Sequence, residues 1–125
     1  YTPFGLLIAG NSLGRWLMVV VWAFAIGGIV TKLFIRDRFP AIGVISYLIM
    51  GWLGVFAIQP LLNILGSVPV VLTVLGGVAY SLGVVFFPWT SIRHHHAIFH
   101  VFILAGSIIH YAAIVIYVIP HATNL

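Results

Sequence analysis

Charged side chains interrupt an otherwise apolar chain at only three places: Arg15, then Lys32, Arg36, Asp37 and Arg38, then Arg93. The lengths of the stretches between them decide the fold, because a helix crossing the hydrocarbon core needs about 20 mostly apolar residues. Residues 16–31 carry no charge and extend to a full span, about 16–34, if Arg15 and Lys32 snorkel towards the headgroups. Nothing charged occurs over residues 39–92, which is too long for one crossing. A polar, helix-breaking cluster divides it: Gln59, Pro60, Asn63, Gly66, Ser67 and Pro69. That predicts spans at about 41–62 and 70–88. A fourth, about 94–118, stops before Pro120 and leaves residues 121–125 as a tail. The pattern is that of an all-α membrane bundle forming one transmembrane domain over 1–125.

The start of the chain reads differently. Residues 1–9 are apolar but too short to cross, and Asn11, Ser12 and Gly14 predict a turn before Arg15. An interfacial or re-entrant segment is one reading. The favoured one is that 1–10 are the last turns of an earlier helix, so that the sequence is the C-terminal part of a longer membrane protein. No charged leader region precedes an apolar core, so a signal peptide is not indicated.

Composition closes off other classes. Hydrophobic residues make up 63% and charged residues 5%, where a soluble domain carries about 25% charged. The mean hydropathy of +1.26 excludes disorder, which needs low hydrophobicity. Five Lys and Arg residues do not form the basic face that a nucleic acid requires, so no nucleic-acid partner is expected. With no cysteine, any metal must be held by nitrogen or oxygen donors. Lys32, Arg36, Arg38 and Arg93 fall on one side of a four-span topology and Arg15 on the other. The Lys- and Arg-rich side should be cytoplasmic and the C-terminus outside. Asp37 sits among cations and reads as their loop charge partner. Gly27, Gly28, Gly43, Ser46, Gly51, Gly54, Gly76, Gly77 and Gly83 read as close-packing positions, since helices in lipid approach through small residues.

Chemistry concentrates on the last span. An ionisable residue inside a membrane is expensive and points to function. Five of six histidines lie there or at its entry: His94, His95, His96, His100 and His110. On a helix turning about 100° per residue, His96 and His100 share one face. Ile103, Ser107, His110, Ile114 and Tyr117 continue that stripe at steps of three and four. Facing lipid, such a stripe would leave polar groups unpaired at several kcal/mol each, so it is expected to face the bundle interior or a water-filled cavity. The i, i+4 spacing of His96 and His100 is a chelating one, although in a soluble helix HxxxH is more often ordinary surface or core. His110 lies roughly 15 Å further along the axis and cannot share the ion. An interhelical hydrogen bond is its expected role, with a place beside Ser107 along the cavity. His94 and His95 are expected at the headgroups or in solvent, and His121 in the tail. Two ligands fall short of the three or four that zinc takes. The missing donors are expected upstream of Tyr1.

The stretch HAIFHVFILAGSIIHYAAIVIYV, residues 96–118, resembles the last transmembrane helix of the hemolysin III family, the bacterial branch of the progestin and adipoQ receptor superfamily. YTPF at the start, Trp22 with Gly27-Gly28 and Lys32-Leu33, YLIMGWL and GGVAYSLG agree in order and spacing. The resemblance implies a seven-helix parent fold, with helices four to seven and the end of the third present here. It implies zinc near the cytoplasmic side, with His96 and His100 as two of three histidine ligands. It places the third histidine on the second helix and an Asp just upstream of YTPF, neither of which is in this sequence. The catalytic group is therefore unidentified.

Three functions follow as expectations. The first is a zinc-dependent hydrolase of lipid amides, ceramidase-like, with a membrane lipid as substrate. The second is a pore-forming hemolysin, which needs polar rings that one striped helix does not supply. The third is a receptor-like regulator of membrane lipid composition with structural zinc. The bacterial inner membrane is the expected location.

Overall fold

The computed structural model describes residues 1–35 and 40–124. Arg36, Asp37 and Arg38, and with them the loop role expected of Asp37, lie outside the described residues. The described residues are helical, with no strand among them: α1 (Thr2–Leu7), α2 (Ser12–Ile35), α3 (Pro40–Trp52), α4 (Ile58–Leu65), α5 (Ser67–Phe86), α6 (His95–Ala113) and α7 (Ile119–Thr123). Four stretches are long and apolar enough to cross a membrane: Ser12–Phe34, Gly43–Leu65, Ser67–Phe86 and His95–Thr123. The protein is an all-α membrane protein. It divides into two compact units, Tyr1–Leu61 and Leu62–Leu125.

In the first unit α1 turns back onto α2. The turn falls at residues 8–11; of the expected turn residues Asn11 lies in it, while Ser12 and Gly14 lie in α2, because Asn11 caps that helix: its Oδ1 accepts the Leu13 N–H at 3.4 Å. Gly14 then lies inside the helix, where a Cβ would strike the backbone of Ile8, whereas one on Gly5 would strike only the Met18 side chain. The outer surface of α2 is apolar, with Trp16, Trp22, Phe24, Leu33 and Phe34 exposed, as a lipid-facing helix requires.

Pro60 does not end the second span. It stands in the first turn of α4, where a missing N–H costs little. What it disturbs is the residues before it: no N–H is available to the carbonyl four positions back, and Leu53–Ala57 tightens into a 3-10 turn. The Tyr1 hydroxyl bridges this irregularity. It accepts the Gly54 N–H at 2.9 Å and lies 2.8 Å from the Met50 carbonyl and against that of Gly51. Tyr1→Phe strands these backbone groups where water is scarce. We expect a stability loss of about 1–3 kcal/mol, read as a lower unfolding midpoint in detergent; an unchanged midpoint would show that the bridge carries no weight.

The break comes at Gly66 alone. Its φ of 80° lies in the left-handed region that glycine enters without strain. In the second unit α5 and α6 run antiparallel at close range. A Cβ on Gly83 would come within 3.1 Å of Phe102 Cβ, and one on Gly106 within 3.1 Å of the Gly76 carbonyl oxygen. Of the small residues expected to pack, Gly76 and Gly83 meet α6 and Gly54 meets Tyr1. A Cβ added at Gly27, Gly28, Gly43, Gly51 or Gly77 would meet nothing within 4 Å among the described residues. The last span continues past Pro120 rather than stopping before it. Ile114–Val118 widens to a π-turn, which absorbs the proline's missing donor and lets α7 continue the helix.

Candidate metal site on the last span

Tight turns deliver the chain from α5 into α6. Trp89 N–H bonds to the Phe86 carbonyl at 3.3 Å, Ile92 N–H to that of Trp89 at 3.1 Å, and His95 N–H to that of Ile92 at 3.1 Å. His94 then takes φ 66° and ψ 22°, a left-handed conformation uncommon for a residue with a Cβ. Its carbonyl accepts the Ile98 N–H at 3.0 Å and opens α6. This reversal puts His96 in the first turn, opposite the end of α5. His94 is exposed, as expected of an interfacial residue. His95 departs from that expectation: it is half-buried, and its Nδ1 is buried without a partner among the described residues.

The two histidines one turn apart converge. The Nε2 atoms of His96 and His100 lie 3.0 Å apart, with ring centroids 4.6 Å apart and planes at 82°. Two nitrogens on one tetrahedral zinc, each about 2.05 Å from it, would stand about 3.3 Å apart. The pair is within a few tenths of an ångström of that separation. Both side chains are exposed in this chain, and neither ring is hydrogen-bonded through Nδ1 among the described residues. No group of three or more His, Cys, Asp or Glu side chains converges among them either.

The rest of the stripe divides. His110 enters the α5–α6 contact, half-buried over Gly76 and edge-on to Tyr80 at 5.5 Å. Its Nε2 donates to the Thr73 carbonyl at 2.9 Å, the interhelical hydrogen bond expected of it. A carbonyl has no proton to give, so this contact places the hydrogen on Nε2. Ser107 is exposed. Its hydroxyl donates to the Ile103 carbonyl at 2.9 Å and accepts from the Tyr80 hydroxyl at 2.7 Å. Among the described residues the stripe is thus divided between the α5–α6 contact, which takes His110, and a surface this chain leaves open, which carries His96, His100 and Ser107. Gly106 and Ala113, the buried line against α5, lie roughly 80–100° around the helix from His96. His96, His100 and Ser107 occupy the open rim beside that contact. Sequence reasoning passed over three residues here. Tyr80 was signalled by its position one turn after Gly76, and Phe87 and Phe99 gave no signal beyond being aromatic.

These features define a class: a polytopic helical membrane protein carrying two convergent imidazoles at one end of its last span. The chain belongs to the haemolysin-III related family, whose sequence model matches residues 1–111. It is 41% identical to "Hemolysin-3" of Bacillus cereus over 123 residues, covering 98% of this chain and 56% of that protein. It is 46% identical to "Hemolysin-3 homolog" of Bacillus subtilis (strain 168) over 107 residues, covering 86% and 50%. A more distant relative is the human "Monocyte to macrophage differentiation factor", 31% identical over 101 residues, covering 80% and 40%. The chain spans about half the length of the bacterial relatives it matches. No solved structure matches it significantly.

Proposed function

We propose that His96 and His100 are two ligands of a zinc ion held at one end of the bundle, and that the full-length protein uses this site to hydrolyse a lipid amide of the ceramide class. The 3.0 Å approach of the two Nε2 atoms carries this reading. Without a metal the same approach is a hydrogen bond from one ring's N–H to the other's bare nitrogen; with one, both lone pairs meet on a shared cation, a separation that two zinc-bound nitrogens also take. The donor set fits zinc in type, because imidazole nitrogen is among its common ligands, and falls short in number. The bacterial relatives are about twice as long as the part matched, which leaves room for further donors, an Asp among them, in the full-length protein.

When bound, zinc supplies a Lewis acid that polarises a carbonyl and makes a neighbouring water more acidic. The chain's own residues set the conditions for that chemistry. His96 and His100 present two neutral nitrogens from adjacent turns. Ile103 and Leu104 continue the rim as apolar surface suited to an acyl chain, and Ser107 with Tyr80 closes it off with polar groups about two turns further on. His110, committed to the Thr73 carbonyl, holds α6 against α5 and takes no part in the reaction. The protein sits in the bacterial plasma membrane in this reading, with Lys32, Arg36, Arg38 and Arg93 on the cytoplasmic side and the C-terminus outside.

The test is fatty-acid release from ceramide vesicles by purified full-length protein, followed by mass spectrometry. We expect release by the wild type and its loss in both His96→Ala and His100→Ala. Release that survives both substitutions would refute the assignment. A pore is the second reading, favoured by the hemolysin named in the Bacillus cereus relative. Against it stands the apolar exposed surface of α2, which offers no polar face for a ring of subunits. Dye leakage from vesicles holding the protein at high density would decide for the pore.

A further inference from the structure

The 3.0 Å hydrogen bond between the Nε2 atoms of His96 and His100 holds the two imidazoles to each other but not to the rest of the fold. Each has several rotamers open to it on a helix, and an orienting hydrogen bond to the second ring nitrogen, the common means of fixing a metal-binding imidazole, is missing at both rings among the described residues. Ring packing takes its place. Phe99, half-buried beside the histidine pair, lies 6.0 Å from the His96 ring and 5.2 Å from the His100 ring, centroid to centroid. Phe87, immediately past the end of α5, lies 5.1 Å from Phe99 and 6.4 Å from His96. Its backbone is held in turn, since its N–H is shared between the Gly83 and Val84 carbonyls at 3.2 and 3.3 Å. An aromatic brace thus runs from the end of α5 through Phe87 and Phe99 to both imidazoles.

We infer that Phe99, backed by Phe87, is the positioning residue that holds the His96 and His100 imidazoles in their convergent rotamers. The inference rests on the zinc reading above and adds to it the group that pre-organises the pair. A flat ring packed beside both others restricts their χ2 rotation, which a flexible aliphatic chain of similar bulk does not. The role therefore depends on ring shape and not on apolarity alone. Phe99 touches neither ion nor substrate in this account; it acts through the histidines.

The experiment uses full-length protein in lipid nanodiscs, with zinc affinity measured by chelator competition and the geometry of the site by the visible spectrum of the cobalt-substituted form. Phe99→Leu is expected to weaken zinc binding about tenfold, the scale of lost orienting groups around a metal, and to alter the cobalt spectrum. Phe99→Tyr is expected to restore both, and His96→Ala to lose zinc outright. If Phe99→Leu does not accumulate folded, Phe87→Leu, at an exposed position, is read in its place with a smaller shift in the same direction. Wild-type affinity and spectrum in the leucine variant, with zinc lost in His96→Ala, would overturn this inference and leave the zinc site standing. Unchanged zinc in His96→Ala would overturn both.

Discussion

Full-length protein carrying His96→Ala or His100→Ala is expected to lose zinc, with affinity falling at least a hundredfold in each single variant. The magnitude follows from ligand arithmetic. Structural zinc sites bind with about 10–16 kcal/mol spread over four ligands, so one ligand is worth roughly 3 kcal/mol, or about two decades. The two substitutions should cost similar amounts, because neither nitrogen makes a compensating contact elsewhere. His110→Ala and Ser107→Ala serve as controls on the same helix. His110 lies ten residues beyond His100, about 15 Å along the axis, and its Nε2 is already engaged with Thr73. Zinc content by elemental analysis should be unchanged in both controls. Wild-type zinc in the two histidine variants would end the metal reading.

Gly76→Ala is expected to be the most damaging single change in the α5–α6 contact, at about 1–3 kcal/mol. A Cβ at this position would occupy the space of the His110 imidazole, meeting its Cδ2 and Nε2. The ring must move, and with it goes the bond to the Thr73 carbonyl. Overpacking costs about 1–3 kcal/mol and the lost hydrogen bond about 0.5–1.5. Against them stands the gain of up to about 1 kcal/mol for replacing glycine by alanine in a helix. Gly77→Ala isolates that gain, because a Cβ there meets nothing within 4 Å, and should be neutral or slightly stabilising. The neighbouring pair separates steric from propensity effects in one denaturation series. Gly76→Ala with His110→Ala should recover part of the loss, since the smaller side chain vacates the contested volume. Equal midpoints for Gly76→Ala and Gly77→Ala would show that the close approach does not matter.

The two substitutions probe different kinds of information. The spans were legible because charge is so costly in hydrocarbon that six charged residues suffice to mark where the chain surfaces. The shared face of His96 and His100 was legible because helical periodicity is fixed by backbone geometry. The breaks were less so. Pro60 and Pro120 are helix breakers by chemistry, yet the helix passes both by tightening before one and widening before the other. That choice depends on whether neighbouring groups can reach the freed carbonyls, which no local pattern records. Tyr1 illustrates it, reaching 49 positions along the chain to the Met50 carbonyl.

By itself, then, the amino-acid order determined that this is an all-helical membrane protein, where its apolar segments lie, and that two imidazoles share a helical face. Those properties follow from the price of charge in lipid and from the pitch of a helix, both of which act locally. Only the tertiary structure decided that His110 turns into the α5–α6 contact while His96, His100 and Ser107 stay on its rim, and that Phe87 and Phe99 brace the histidine pair. Which side of a helix is covered depends on the partner that packs against it. Here that partner is chosen by the glycines that let α5 and α6 approach most closely, a fact about two helices that neither contains alone.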